Sequence, residues 1–274
     1  MIQSGPIGVF DSGYGGLTVL RSIKESLPVY DYLYLGDSAR TPYGTRSFES
    51  VYEFTWQGVR YLFEQGCSLV ILACNTASAK ALRSIQQREL PSYDPTRRVL
   101  GVIRPTTETI GSFSSSGHLG IMGTTGTVQS HSYPMEISKF FPNLKVYQEA
   151  CPMWVPLVEN GELDNPGTLY FVRQHIDSIF HQSSRIDTLL LACTHYPLLL
   201  PVILEMVGDR AEVISQGPIV ANSLKNYLSR HAEIADRCTK NGHVEILTTD
   251  NKNKFEQLGS LFFGTPIQAR QVHL

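Results

Sequence analysis

The 274-residue sequence has no long apolar run, no excess of basic residues and no secretory leader pattern at its start. A membrane candidate needs ~18 or more consecutive apolar residues, and no run reaches that length. The formal net charge is -2 and no Lys/Arg cluster departs from it, so neither nucleic acid nor a membrane is expected as a partner. These absences predict a compact soluble protein that stays in the cytoplasm.

The sequence also lacks the common nucleotide and metal motifs. Neither GxGxxG nor GxxxxGK[ST] occurs. The cysteines are odd in number and lack CxxC spacing, which argues against a disulfide framework and against structural zinc: Cys67, Cys74, Cys151, Cys193 and Cys238. Cys193 and His195 alone are too few ligands for zinc. The sequence therefore predicts no metal and no cofactor.

Apolar runs alternate with amphipathic helical stretches along the chain. The predicted strands are 6–10, 32–35 and 69–73, and the predicted helices are 17–26 and 47–65. A glycine-rich loop joins the first strand to the first helix, and Gly66 ends the second helix. This alternation predicts an α/β fold with mostly parallel sheets.

Three segments of the first half are echoed in the second half, in the same order. Residues 7–13 resemble 119–125, residues 70–76 resemble 189–195, and residues 100–103 resemble 211–214. Chance likeness of buried apolar strands could explain any one echo, but their order favours a repeat. We expect two pseudo-symmetric α/β domains, 1–98 with 214–274 and 99–213, and an active site in the cleft between them.

Cys74 and Cys193 end the same echoed strand in each half. Each precedes polar residues and a helix-prone stretch, a position that lowers the pKa of a thiol and offers backbone donors to a carboxylate. A single free cysteine is commonly a buried small hydrophobe, which is our interpretation of the other three. Two cysteines at equivalent positions instead predict a reactive pair facing each other across the cleft.

Two opposed thiols can invert a stereocentre, because one removes a proton from one face of a carbon while the other delivers a proton to the opposite face. The carbanion of an amino acid needs hydrogen-bond donors at its carboxylate. The candidate donors are Ser12, Asn75, Thr76 and Thr194. The sequence thus favours an amino-acid racemase.

Asp11 and His195 lie beside these elements and are candidates to assist each thiol in turn. A strand-end turn residue is the alternative for Asp11, and a structural histidine is the alternative for His195. Glu159 is a weaker candidate, with a solvated surface role as its alternative. A Cys/His hydrolase and a non-catalytic amino-acid-binding module remain alternatives at this point.

Several ordered motifs resemble those of the glutamate racemase family. They are Phe10-Asp11-Ser12-Gly13-Tyr14-Gly15-Gly16-Leu17, Gly36-Asp37, Pro42-Tyr43-Gly44, Ala73-Cys74-Asn75-Thr76-Ala77-Ser78, Gly123-Thr124, Gly126-Thr127-Val128, Pro156-Leu157-Val158-Glu159 and Ala192-Cys193-Thr194-His195-Tyr196-Pro197. Aspartate racemases would instead carry His at the position of Ser78 and Glu at that of His195. One departure is Arg104, where an acidic or small residue is more usual.

The resemblance implies a cofactor-independent isomerase that supplies D-glutamate for peptidoglycan. It implies that Cys74 and Cys193 alternate as proton acceptor and donor, supported by Asp11 and His195. It also implies that glutamate is the substrate and that the enzyme is a homodimer. The implied substrate contacts are Asp11, Ser12, Tyr43, Gly44, Asn75, Thr76, Thr194 and His195.

Overall fold

The computed structural model describes residues 4–274, so residues 1–3 of the first predicted domain lie outside the described residues. The strands are β1 Ile7–Asp11, β2 Tyr32–Gly36, β3 Leu69–Leu72, β4 Arg98–Gly101, β5 His118–Gly123, β6 Lys145–Ala150, β7 Thr188–Ala192, β8 Glu212–Ser215, β9 Val244–Thr248 and β10 Arg270–Gln271. They form a six-stranded sheet, β10-β9-β2-β1-β3-β4, and a four-stranded sheet, β6-β5-β7-β8. Neighbouring strands pair in parallel, which confirms the predicted α/β class.

Helices connect the strands, as parallel pairing requires. The α-helices are α1 Gly16–Ser26, α2 Phe48–Glu64, α3 Asn75–Lys80, α4 Leu82–Ser84, α5 Leu90–Tyr93, α6 Ile103–Thr107, α7 Thr125–Gln129, α8 Ser132–Phe140, α9 Trp154–Glu159, α10 Pro166–Gln182, α11 Leu200–Val207, α12 Gln216–Arg230, α13 Ala232–Ala235 and α14 Lys252–Phe263. A π-helical segment, Ile85–Glu89, joins α4 to α5, and 3-10 turns occupy Ser38–Arg40, Ile110–Phe113, Tyr196–Leu199 and Gly208–Arg210.

Local sequence explains the ends of α2. The Ser47 hydroxyl accepts a hydrogen bond from the Ser50 backbone N–H at the N-terminus. Beyond the C-terminus, Gly66 has φ of +94°, a left-handed conformation that glycine adopts without a Cβ penalty. Among residues 4–274, no helix is long and apolar enough to cross a membrane.

The two sheets repeat one topology. The order β2-β1-β3-β4 of the first sheet matches β6-β5-β7-β8 of the second. The registers agree as well, because Gly8 pairs with Val70 in the first sheet while Gly120 pairs with Leu189 in the second. The first two sequence echoes use these same correspondences, so the repeat that they predicted extends to strand order and register.

The third sequence echo is aligned wrongly. It aligned Gly101 with Glu212. In the structure Gly101 pairs with Leu72, and Ser215 pairs with Leu191, which is the counterpart of Leu72. Gly101 therefore corresponds to Ser215. The predicted domain limits at 98/99 and 213/214 fall inside β4 and β8, the strands where this error lies. The domain limits themselves stay a prediction.

Candidate active site

A cavity of about 90 Å³ lies where the carboxyl ends of strands from both sheets meet. The predicted site residues that line it are Ser12, Tyr43, Gly44, Cys74, Asn75, Thr76, Cys193, Thr194 and His195. The lining residues that were not predicted site residues are Thr41, Pro42, Thr45, Thr124, Thr125, Cys151, Pro152, Val155 and Pro156. The predicted Asp11 and Glu159 do not belong to this lining and contact the loops behind it.

Cys74 follows β3 and begins α3. Its Sγ accepts a hydrogen bond from the Ala77 N–H at 3.4 Å and donates to the Ser12 hydroxyl at 3.5 Å. Burial raises the pKa of Cys74 to about 12, with a further increase from the Asp11 carboxylate, against the lowering effect of Ser12 and Ala77. The expectation that a helix start lowers the pKa of this thiol is therefore wrong, because desolvation outweighs the helix contribution.

Asp11 ends β1 and is fully buried below Cys74 and the glycine loop. Its Oδ1 accepts the Gly13 N–H at 2.9 Å, while its Oδ2 has no partner among residues 4–274. Burial raises the pKa of Asp11, although His195 and the N–H groups of Gly13 and Gly16 oppose that increase. A buried carboxyl with one unsatisfied oxygen can take up a proton more readily than an exposed one.

Cys193, His195 and Glu159 form a line of interacting groups. His195 Nδ1 lies 4.0 Å from Cys193 Sγ, and His195 Nε2 lies 2.9 Å from Glu159 Oε1. Burial alone would lower the pKa of His195, but its bonds to Cys193 and Glu159 raise it to about 10. The Glu159 side chain is 18% exposed, so it is a partner of His195 and not a solvated surface group.

The loops of the two halves interlock around the cavity. The Thr18 hydroxyl donates to the Thr194 carbonyl at 3.1 Å, and the Gly126 N–H donates to the Gly44 carbonyl at 2.8 Å. Thr76 and Thr124 hydroxyls lie 3.0 Å apart. Each of these bonds joins a residue near the first sheet to one near the second, so both halves set the shape of the cavity.

Tyr43 is anchored from behind by Asp37. The tyrosine hydroxyl donates to Asp37 Oδ2, and the same oxygen accepts the Arg40 Nε–H at 2.7 Å. Asp37 Oδ1 accepts the Thr249 hydroxyl at 2.9 Å. These bonds fix the loop 41–45, which brings Tyr43 and Gly44 to the cavity.

The repeat could have identified one of the missed lining residues. The offset that relates Gly8 to Gly120 also relates Ser12 to Thr124. Ser12 is a predicted donor, so its counterpart in the second half is a candidate by the same argument. Cys151 carried no such signal, because only the folded chain brings the loop after β6 to the cavity.

The chemical groups around the cavity are thiols, an imidazole and neutral hydrogen-bond donors. Within the described ranges, no group of three or more His, Cys, Asp or Glu side chains could hold a metal ion. The cavity lining combines three thiols and a histidine with neutral hydrogen-bond donors, and the buried carboxyl of Asp11 lies outside this lining. This arrangement suits a small carboxylate whose neighbouring carbon exchanges a proton.

Comparisons with known proteins agree with one another. The chain is 37% identical over 262 residues to the glutamate racemase of Bacillus cereus, covering 96% of this chain and 94% of that protein. It is 38% identical to the Persephonella marina glutamate racemase over 268 residues, covering 98% and 97%. No protein-family model matches the chain.

Solved structures are similar over nearly the whole chain. Glutamate racemase isoform RacE1 of Bacillus anthracis superposes with a TM-score of 0.89 at 34% identity, and 98% of each chain is covered. The Francisella tularensis glutamate racemase in complex with D-glutamate gives 0.87 at 31% identity, again with 98% of each chain. The aspartate racemase of Picrophilus torridus shares only the fold, with 18% identity, a TM-score of 0.55, and coverage of 82% and 94%.

Proposed function

This chain belongs to the glutamate racemase family and is an isomerase, and we propose that it interconverts L-glutamate and D-glutamate by proton transfer at Cys74 and Cys193. One thiolate takes the α-proton as the C–H electron pair stays on the α-carbon. The other thiol delivers its proton to the opposite face of that carbon. The exchange leaves the first sulfur protonated and the second ionised, so the reverse reaction starts from that state.

The observation that carries the proposal is the equivalence of the two thiols. Cys74 follows β3 and Cys193 follows β7, strands that occupy the same place in two sheets of matching order and register. Both residues line one cavity. A repeat with approximate two-fold symmetry brings equivalent atoms to a ligand from opposite sides, as inversion requires.

The two thiols have different neighbours, which suits opposite protonation states. With its pKa raised to about 12, Cys74 holds its proton near neutral pH and is ready to donate. A charged His195 can compensate negative charge on Cys193 and is itself held by Glu159. Asp11, whose pKa is also raised, can accept or return a proton on the Cys74 side.

Neutral donors around the cavity would stabilise the carbanion. Asn75, Thr76 and Thr194 all line the cavity, as does Ser12, and each carries an N–H or O–H group. Donors that point to the carboxylate as charge develops lower the barrier more than they strengthen ground-state binding. We therefore assign these residues to substrate binding, together with Tyr43 and Gly44 on the opposite loop.

The test is racemisation by the Cys74→Ser and Cys193→Ser variants, followed by circular dichroism of L- and D-glutamate. Either variant should lose nearly all turnover in both directions, since each direction uses both groups. In deuterated water the wild-type enzyme should place solvent deuterium at the α-carbon during inversion. Near-normal turnover by either variant, or retention of protium at that carbon through full racemisation, would overturn the proposal.

The line Cys193, His195 and Glu159 also resembles the constellation of a Cys/His hydrolase. Such an enzyme would form an acyl-enzyme on Cys193 and would not need Cys74. Mass spectrometry of the protein mixed with glutamate or glutamate esters separates the two candidates. A covalent adduct on Cys193 that survives Cys74→Ser would support the hydrolase.

We further propose that the D-glutamate formed enters peptidoglycan, as the family resemblance implies. A bacterium that lacks its own glutamate racemase should grow without added D-glutamate when it expresses this chain. Continued dependence on D-glutamate would count against this role. The implied homodimer is a separate proposal, and light scattering after size-exclusion chromatography tests it.

A further inference from the structure

Asn75, Tyr133 and Gln216 form a closed ring of hydrogen bonds behind the cavity. Asn75 Nδ2 donates to Gln216 Oε1 at 2.7 Å, Gln216 Nε2 donates to the Tyr133 hydroxyl at 2.6 Å, and that hydroxyl donates to Asn75 Oδ1 at 2.6 Å. All three residues are buried. Each group in the ring therefore donates once and accepts once within it.

One backbone carbonyl sets the direction of the ring. Gln216 Nε2 lies 3.3 Å from the Val102 carbonyl oxygen, which can only accept a hydrogen bond. The nitrogen of the Gln216 amide must face that carbonyl, so the oxygen of the amide faces Asn75. The Thr106 hydroxyl, 3.0 Å from the same nitrogen, supports this orientation.

The fixed orientation of Gln216 determines that of Asn75. Because Gln216 offers an oxygen, Asn75 must present its nitrogen to it, and the Asn75 oxygen then accepts from Tyr133. The Asn75 nitrogen carries two hydrogens, and it donates one of them to the Gln216 oxygen. The second is left for a ligand in the cavity that Asn75 lines. A rotated amide would offer that ligand an oxygen instead.

We infer that Tyr133 and Gln216 are positioning residues that hold Asn75 as a hydrogen-bond donor to the substrate carboxylate. This inference rests on the proposed function, in which a glutamate carboxylate binds at Asn75. Burial makes the orientation strict, because a flipped Asn75 would leave its nitrogen against the Tyr133 hydroxyl and its oxygen against the Gln216 oxygen. The ring also joins the halves, since Asn75 follows β3 of the first sheet while Gln216 follows β8 of the second.

The experiment compares racemisation kinetics of the wild-type enzyme with Tyr133→Phe, Asn75→Ala and the double variant. Tyr133→Phe leaves the buried Asn75 Oδ1 without its donor, which favours a rotated amide. KM for both enantiomers should then rise about tenfold or more, the effect of losing one hydrogen bond to a charged group. In the Asn75→Ala background, Tyr133→Phe should raise KM by a further factor of less than about two, because Tyr133 acts through Asn75. If Tyr133 had a purely structural role, Tyr133→Phe would raise KM by the same factor in both backgrounds.

Tyr32→Phe is the matched control. Its hydroxyl is also buried and donates to the Leu27 carbonyl at 2.7 Å, away from the cavity lining. This variant should keep both kcat and KM within about twofold of the wild-type values. Where Tyr133→Phe does not fold, Gln216→Met removes the same ring with a side chain of similar length and carries the same prediction.

An unchanged KM in Tyr133→Phe, or an equal increase with and without Asn75, would overturn the inference while wild-type racemisation stands. Absence of racemisation by the wild-type protein would instead reject the proposed function. In that case, the glutamate Kd of the same variants, measured by calorimetry, tests the roles of Tyr133 and Gln216. A Kd that does not change with Tyr133→Phe would reject the inference there as well.

Discussion

Glu159 Oε1 lies 2.9 Å from His195 Nε2, on the side of the imidazole opposite Cys193. The carboxylate orients the ring and stabilises its charged form, as the raised pKa of His195 indicates. Carboxylate, imidazole and thiol thus lie in one line of contacts. The contact connects α9 to the turn after β7, a connection that no local sequence pattern reveals.

Glu159→Gln should lower the pKa of His195, because the amide oxygen still accepts the Nε2 hydrogen but carries no negative charge. Because the proposed function uses the charged imidazole, the alkaline limb of kcat/KM should move to lower pH. We expect kcat/KM at pH 8 to fall roughly tenfold or more. Steady-state rates from pH 6 to 10 measure both effects.

Glu108→Gln is the control for this change, since Glu108 forms only an exposed ion pair with Arg104. Its pH profile should superpose on the wild-type profile. A Glu159→Gln profile that keeps the wild-type alkaline limb would show that Glu159 does not tune His195. Arg104, the departure from the family pattern, lies on the surface and away from the cavity lining.

The charged His195 should make stability depend on pH. The pKa of His195 is raised from 6.5 to about 10 in the folded protein, so its contribution is complete below pH 6.5 and is lost as the pH rises through 10. The difference in unfolding free energy between the wild type and His195→Asn should therefore shrink between pH 6 and pH 10. Urea denaturation at both pH values measures this difference.

His181→Asn provides the reference, because His181 is exposed on α10. Its unfolding free energy should follow that of the wild type at both pH values. A His195→Asn difference that is constant, or that grows with pH, contradicts a charged histidine at this site. The expected change is on the order of a few kcal/mol, since a pKa difference of one unit corresponds to about 1.4 kcal/mol.

Asp11→Asn should separate stability from activity. Asp11 is fully buried with an unsatisfied oxygen, and its raised pKa means that the ionised form destabilises the folded state. The favourable contribution of the protonated form is present below pH 3.8 and is lost as the pH rises through the folded-state pKa. The variant should therefore be more stable than the wild type at pH 8, by a margin that narrows toward pH 4.5.

Racemisation by Asp11→Asn should fall about tenfold or more, because the amide cannot exchange a proton with Cys74. Calorimetric melting temperatures and steady-state rates of the same preparation test both halves of this prediction. Asp209→Asn, at an exposed position, should change neither. Reduced stability of Asp11→Asn at pH 8 would contradict this prediction, because it would mean that the folded protein stabilises the ionised carboxylate.

Local patterns predicted much of the fold. Buried strands such as β3 are continuous apolar runs, and α2 has a serine cap and a terminal glycine, so both are visible within a short window. The stretch after Cys74 is different, because it breaks into α3, α4 and a π-helical turn instead of one helix. Pro91, at the start of α5, lacks the N–H that a continuous α-helix would direct to the Gln87 carbonyl.

The contacts between the halves could not be read from the sequence. Gln216 reaches Asn75 across 141 positions and Tyr133 across 83, and neither bond has a periodic signature. The third echo failed for a related reason. Its two segments share mainly apolar residues, which fit several registers equally well until the pairing with the neighbouring strand is known.

Gly15→Ala tests how closely the two halves must approach. A Cβ at position 15 would lie 2.2 Å from Thr194 Oγ1 and 2.5 Å from His195 Nδ1, distances that force these side chains to move. His195 is held on its far side by Glu159, so it has little freedom to retreat without losing that contact. A displacement of ~1 Å in a catalytic group can cost roughly 100-fold in rate, and we expect kcat to fall on that scale. Gly13→Ala is the control from the same loop, because its Cβ would meet nothing closer than 3.5 Å. That variant should lose far less activity, whereas equal losses in the two variants would mean that loop flexibility, and not the approach of His195, requires glycine at position 15.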